Sequence, residues 1–395
     1  LLSLAKRIWI NWGPGSFEPP EGAEMADLKI NVNGMQFANP FVIGSGPPST
    51  NYRTIAKSFA CGWGGVVAKT VALDDTPVCN VAPRYGKWRL EAWEQKKGNA
   101  NVIGFQNIEL ISDRGLSDWI PDFKRAKDDY PDGMLIASLM ESYDKDRWQE
   151  LVQRCDEVGV DGFELNFSCP HGHPETNMGA AMGQNPPMVE EVTRWCVEAT
   201  SKPVWAKMTP NVTDITLAAR AAVAGGAHGV SAINTILAVI GVNLDTLRPM
   251  PTVEGYSTPG GYSYYAVKPI ALRMVAEMML DNPELTVSGI GGVGSADDAI
   301  EFMLLGAKTV QVCTGVMLQG HAMVQKLIDG THEFMDRHGF DSVEDFIGAS
   351  LPYFTTHHDL VDRQVAAKAE KAGQKKRDLE WGENISEQTD KLTTN

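Results

Sequence analysis

Residues able to do chemistry gather in a few short runs of this chain. The run Glu164-Leu165-Asn166-Phe167-Ser168-Cys169-Pro170-His171-Gly172 reads as a buried strand that ends in amide, hydroxyl and thiol groups and is stopped by proline. A strand spends apolar residues on packing. Polar groups at its C-terminal end mark a place where something is bound, and in a parallel α/β barrel that end is where chemistry happens. Cys169 is therefore a candidate proton donor, with Asn166 and Ser168 as candidate ligand contacts. The competing reading is a free cysteine that acts as a small hydrophobe beside a turn. The other strand ends weigh against it.

Those ends carry a consistent set of groups. The first strand ends in Gly44-Ser45-Gly46, the second carries Lys69-Thr70, and the fifth carries Lys207 with Thr209. The sixth carries Asn234-Thr235, the seventh ends in Gly289-Ile290-Gly291-Gly292, and the eighth ends in Cys313-Thr314-Gly315. A strand lysine is expensive to bury unless it meets an anion or acceptors. Two of them facing one pocket imply an electron-rich ligand. The glycines after strands seven and eight match the phosphate seat of such barrels, where backbone N–H groups lie near a helix N-terminus. A phosphorylated cofactor fits, and the GxGxxG spacing of a dinucleotide fold is missing. FMN meets all these demands: one phosphate for the glycines, and an N1–C2=O edge that becomes anionic on reduction. Lys207 is expected at that edge, with Lys69 as the second cation.

The elements that must position these groups alternate along the chain. Short β-branched or apolar runs predict strands over 41–46, 66–71, 134–140, 162–169, 203–209, 229–235, 285–291 and 309–314. Helical patterns lie between them over 145–158, 188–200, 213–225, 267–279 and 296–305, with glycine stops at Gly159 and Gly225-Gly226. Alternation implies a parallel sheet, and eight units close into a (β/α)8 TIM barrel. A hairpin around Asn33-Gly34, a type I′ turn pair, precedes the barrel and is expected to cover its bottom. The long connections 72–133 and 236–265 leave from the C-terminal face and are expected to build the rim of the site. The expected organisation is an extension over 1–24 outside the fold, the barrel over 25–351, and a charged tail over 352–395.

Composition narrows the classes further. The chain has 395 residues, and its formal net charge of -15 argues against nucleic acid as a partner. No apolar run reaches membrane-spanning length, and the leading segment is too short in its apolar core for a signal peptide. The six cysteines are scattered without paired CxxC spacing, so they suggest no zinc or iron–sulfur set, no metal site and no disulfide framework. A reducing cytoplasm is the expected location. The histidines His171, His173, His357 and His358 read as loop or surface residues.

The residues then resemble a known family. Asn39-Pro40-Phe41, Asn107-Ile108-Glu109-Leu110-Ile111-Ser112, Glu164 through Gly172, Lys207-Met208-Thr209-Pro210-Asn211-Val212-Thr213, Lys268-Pro269-Ile270-Ala271-Leu272 and Gln311-Val312-Cys313-Thr314 are similar to the FMN domain of dihydropyrimidine dehydrogenases. The match reads as nearest to the bacterial catalytic subunits and more distant from soluble dihydroorotate dehydrogenases. It runs from about residue 25 to about residue 351. The resemblance implies that Gly44, Ser45, Lys69, Thr70, Lys207, Gly291, Gly292, Cys313 and Thr314 hold FMN. It implies that Asn107, Glu109, Asn166, Asn234 and Thr235 hold a pyrimidine, with Ser168 a further contact read from the strand end. Cys169 would be the acid on a mobile loop, exchanging a proton at C5 while hydride passes between flavin N5 and C6. A thiol pKa near 8.5 suits that step.

The implied reaction is reduction or oxidation of the 5,6 double bond of a neutral pyrimidine such as uracil or thymine. Asparagines answer both polarities of such a ring, and Glu109 would repel the carboxylate of orotate. The alternatives are a dihydroorotate dehydrogenase-like enzyme, an enone or conjugated-amide reductase, and a catalytically silent structural subunit without FMN. The last rests on Tyr264, which stands where the family keeps a small glycine near the flavin's phosphate side. Longer bacterial relatives continue into an eight-cysteine iron–sulfur segment, whereas this chain has its charged tail. An electron-transfer partner subunit (FAD and iron–sulfur, NAD(P)H-linked) and a homo-oligomeric assembly are therefore expected.

Overall fold

A computed structural model describes residues 26–89, 101–168 and 178–370. Cys169 and residues 1–25, 90–100, 170–177 and 371–395 lie outside the described residues. The chain divides into two compact units, Leu1–Leu351 and Pro352–Asn395.

In the first unit, eight described parallel strands close into a barrel. They are β1 (Phe41–Ile43), β2 (Gly65–Val67), β3 (Met134–Leu139), β4 (Gly162–Asn166), β5 (Val204–Lys207), β6 (Gly229–Ala232), β7 (Val287–Ile290) and β8 (Ala307–Val312). Each strand expected from the sequence is present, and the ring closes where β8 pairs with β1, Val310 opposite Phe41. The expected helices fall at Lys145–Asp156, Pro186–Glu198, Ile215–Ala224, Lys268–Asp281 and Ala296–Leu304. Their apolar stripes pack on the strands: Trp148, Leu151 and Val152 of the first of these are fully buried. Burying such side chains contributes roughly 1.5–3 kcal/mol each.

Several strands stop earlier than the sequence suggests, and this matters for the site. β2 ends at Val67, so Lys69 and Thr70 stand beyond it instead of inside a strand. The Lys69 amide turns to the Ser49 carbonyl, 2.9 Å away. β1 ends at Ile43 because Pro47 opens a short 3-10 turn, Pro47–Ser49. β8 ends at Val312, and Thr314 begins the helix Thr314–Gln319. The polar ends thus reach past the ladder, where their side chains can turn into the barrel mouth.

The hairpin Ile30–Val32 and Met35–Phe37 turns at Asn33 (φ 53°) and Gly34 (φ 89°), the expected primed geometry. It covers the bottom of the barrel. The Phe37 ring stacks on Trp205, 6.5 Å between centroids, and the Trp205 indole donates to Asn33 Oδ1 at 2.9 Å. The two long connections meet at the top, in a form the sequence did not reveal. Ile236–Ala238, Gly260–Ser263, Val102–Asn107 and Tyr85–Arg89 join in that order as an antiparallel sheet standing over the mouth.

The second unit contributes the described helix His357–Glu370. It carries the i,i+4 ion pair Arg363–Asp359 and exposes Leu360, Val361 and Val365. Among the described residues no helix is long and apolar enough to cross a membrane.

Candidate active site

A cleft of about 1020 Å³, counted with its open mouth, lies at the C-terminal ends of the strands beneath the four-stranded sheet. Its chemistry comes from three hydrogen-bonded clusters and a glycine turn.

The first cluster centres on Glu109. Its Oε2 takes Lys69 Nζ at 2.9 Å, and its Oε1 takes Arg84 Nη1 at 3.0 Å. Lys69 also donates to the Leu110 carbonyl at 3.2 Å. Lys69 and Glu109 are both buried. Arg84 reaches on to Asp113, 3.2 Å away. Asn107, one residue pair before Glu109, donates to the Gly261 carbonyl at 3.2 Å and receives the Glu109 amide at 3.4 Å. Burial, and next the Glu109 charge, push the Tyr85 phenol up, so it stays a neutral donor beside this carboxylate.

The second cluster centres on the Thr70 hydroxyl. It contacts Ser45 Oγ at 3.1 Å and Ser138 Oγ at 2.8 Å, and accepts from Asn166 Nδ2 at 3.0 Å. Asn166 Oδ1 takes the Ser168 amide and hydroxyl at 3.2 and 3.1 Å. Asn234 Nδ2 donates to Ser168 Oγ at 2.7 Å, and Asn234 Oδ1 caps the Thr235 amide at 2.8 Å. Each asparagine therefore has a fixed rotamer and presents a set edge to the cleft, the preorganisation that recognition of a planar polar ring requires.

The third cluster lies inside the barrel. Lys207 Nζ sits 3.0 Å from Glu164 Oε1. Glu164 Oε2 takes Ser231 Oγ at 2.7 Å and Gln311 Nε2 at 2.8 Å. Lys207 lines the cleft while Glu164 lies behind it, fully buried. Gln311 Oε1 is a buried acceptor with no partner among the described residues.

The glycine turn closes the far end. Gly291 (φ 143°) and Gly292 (φ 81°) adopt backbone that favours glycine. A Cβ on Gly292 would meet the Lys268 Cβ at 2.7 Å and the Tyr264 carbonyl at 2.9 Å. Thr314 Oγ1 lies 2.9 Å from Ser263 Oγ. Burial pushes the neighbouring Cys313 thiol up to about 11, although the charges of Lys207 and Lys69 pull it down. Tyr264 is one of the residues that line the cleft. Its ring is buried against Val102 and Phe105, at φ 77° and ψ -160°.

Comparison with known proteins agrees with this arrangement. Residues 27–335 match the family model described as dihydroorotate dehydrogenase. The chain is 52% identical over 379 residues to the chloroplastic dihydropyrimidine dehydrogenase (NADP(+)) of Arabidopsis thaliana, covering 93% of this chain and 88% of that one. The chain belongs to the dihydroorotate dehydrogenase family. Within that family it is also 40% identical over 338 residues to the NAD-dependent dihydropyrimidine dehydrogenase subunit PreA of Escherichia coli K12, covering 85% of this chain and 79% of that one. The plant enzyme thus stands above this bacterial subunit, the reverse of the order the motifs suggested. A DHODH crystal structure from Eimeria tenella, solved with ferulenol, superposes with a TM-score of 0.66 over 82% of this chain and 88% of that one at 20% identity, which speaks for the fold.

Against that family background, the cleft brings together Ser45, Lys69, Thr70, Asn107, Glu109, Asn166, Lys207, Asn234, Thr235, Gly291, Gly292, Cys313 and Thr314. Two expected contacts stand behind its wall. Gly44 packs under Ile290, where a Cβ would come within 2.9 Å of Ile290 Cδ1. Ser168 is fully buried and works by holding Asn166 and Asn234. Cys169 lies outside the described residues. Sequence reasoning passed over Glu164, Gln311 and Ser138. A signal for the first two existed: Glu164, Asn166 and Ser168 alternate, as do Thr309 and Gln311, so each set shares one strand face.

Proposed function

We propose that this chain is an FMN-dependent oxidoreductase acting on the 5,6 double bond of a neutral pyrimidine such as uracil or thymine. The observation that carries this reading is the convergence of two buried lysines and three fixed asparagines on one cleft, Lys69 and Lys207 with Asn107, Asn166 and Asn234. The relatives named as dihydropyrimidine dehydrogenases support the substrate class.

The residues fit FMN. Ser45, Lys69, Thr70 and Lys207 line the cleft, the Gly291-Gly292 turn borders it at positive φ, and the buried Gln311 Oε1 has no partner among the described residues. In this reading Lys207 and Lys69 face the electron-rich edge of the flavin, Ser45 and Thr70 fix its position, and Gly291, Gly292 and Thr314 hold the phosphate. When bound, FMN supplies the hydride chemistry at N5. Asn107, Asn166, Asn234 and Thr235 meet the alternating N–H and C=O groups of the pyrimidine. Glu109, held by Lys69 and Arg84, accepts a ring N–H. Cys169, three residues beyond Asn166, exchanges the proton at ring C5. Cys313 is unsuited to that task, because its thiol is held too far above working pH to release a proton.

Electrons come from elsewhere. In this reading a flavin or iron–sulfur partner linked to NAD(P)H supplies them. The name of the E. coli relative as a subunit supports this. A homo-oligomeric assembly and a reducing cytoplasmic location complete the proposal. The test is a panel of rings with the purified protein: uracil or thymine turnover without orotate turnover is expected, and robust orotate turnover overturns the substrate assignment. A colourless protein that refuses FMN overturns the cofactor.

A further inference from the structure

Glu164 is fully buried, touches no part of the cleft surface, and is the only described partner through which its cluster reaches the cleft lysine. Isolated carboxylates are not tolerated in a barrel interior, where desolvation costs several kcal/mol per ion. This one is kept by an ammonium at 3.0 Å and by donors from two further strands, Ser231 Oγ at 2.7 Å and Gln311 Nε2 at 2.8 Å. Three strands therefore converge to hold a negative charge directly behind Lys207.

Three physical consequences follow. A lysine is a compact charge on a flexible four-carbon stem, and the Glu164 contact pins its ammonium at the cleft floor. The carboxylate also offsets part of the field that the ammonium projects into the cleft. An uncompensated cation in this low-dielectric site would stabilise an anionic guest far more strongly than a paired one. The same carboxylate orients Gln311: with Nε2 toward Glu164 and Ser288, the acceptor Oε1 is left for the cleft.

We propose that Glu164 is a positioning residue that tempers Lys207, setting how much the site prefers reduced over oxidised flavin. This rests on the flavin reading above. A catalyst that must both accept and give up hydride needs that preference to be moderate. Lys207 alone would hold the reduced state too tightly. Paired with Glu164, it supports reduction without trapping it.

The test uses the full chain loaded with FMN. Anaerobic titrations give the affinities for oxidised and reduced cofactor in the wild type, in Glu164→Gln and in Ser231→Ala. Glu164→Gln is expected to raise the reduced-to-oxidised affinity ratio about tenfold, which corresponds to roughly 30 mV for a two-electron couple. Ser231→Ala removes a donor from the same carboxylate but no charge, and is expected to leave the ratio within about twofold. A purely structural Glu164 would weaken both affinities together and leave the ratio where it is, which overturns the proposal. Should Glu164→Gln fail to fold, Glu164→Asp draws the charge back by one methylene. It is expected to shift the ratio in the same direction by less, and an unchanged or lowered ratio again overturns the proposal. A wild type that takes up no flavin sinks the underlying cofactor reading instead, and does so before any variant is made.

Discussion

Tyr264 gives a sharp test of the cofactor-side backbone. Its φ of 77° and ψ of -160° fall in a region that is essentially restricted to glycine, where a residue with a side chain stores on the order of 1–3 kcal/mol. The ring offsets this by packing against Val102 and Phe105 at 6% exposure. Removing a buried aromatic ring costs about 3–5 kcal/mol in a full core, and this small cluster places the loss toward the low end. Tyr264→Ala loses the ring and keeps the strain. Tyr264→Gly loses the ring and releases the strain, at the cost of about 0.5–1 kcal/mol in unfolded-chain freedom. The glycine variant should therefore be the more stable of the two by about 1 kcal/mol, the reverse of the usual order. Both should fall below the wild type. Urea unfolding of the three proteins under one buffer measures this directly. An alanine variant as stable as the glycine variant, or more so, would refute the strain argument. It would also remove the reason to regard the Tyr264 carbonyl as a fixed wall of the Gly292 turn.

Other substitutions probe the cleft. Cys169→Ala should retain flavin and lose most turnover while Cys169→Ser keeps some; steady-state rates decide it, and full activity in the alanine variant removes Cys169 from the chemistry. Glu109→Gln leaves Lys69 and Arg84 without their shared carboxylate, so it should destabilise the fold by up to about 3–5 kcal/mol, less for the half-exposed Arg84 arm, and turn orotate into a binder in a competition assay. Thr70→Val removes the hydroxyl that meets Ser45, Ser138 and Asn166, leaving a buried amide donor short of a partner at about 1–3 kcal/mol, and should raise KM for the pyrimidine more than it lowers kcat. The Cys313 thiol, raised from an ordinary 9.0 to about 11, should resist alkylation in the native state until well above pH 9. Because its folded pKa is the higher one, its contribution to stability is fully present below about pH 9 and is lost as pH rises through about 11; a thermal unfolding series across that window checks the sign.

Much of the scaffold was legible because each barrel strand is short, apolar and bounded by turn residues. The Asn33-Gly34 pair specified its own turn geometry. The polar strand ends were legible for the same reason, since Lys69, Asn166, Lys207 and Asn234 interrupt apolar runs. What escaped was pairing at a distance. Glu164 lies 43 positions from Lys207, and Glu109 lies 40 from Lys69. The anions that allow both lysines to be buried come from the protein itself, and no local pattern joins them. The sheet over the mouth escaped likewise, because its strands come from two separate insertions and pair only after the barrel has brought them together. The unusual backbone of Tyr264, which turns the ring into the Val102–Phe105 cluster beside the cleft, has no signature in sequence.

The most direct measurement is to reduce the FMN-loaded protein without oxygen, mix it with uracil or with orotate, and follow the flavin absorbance. Reappearance of the oxidised band with uracil and none with orotate is the expected result. A reduced flavin that ignores uracil and thymine but is reoxidised by orotate would contradict the assignment of Glu109 and the asparagines to a neutral ring.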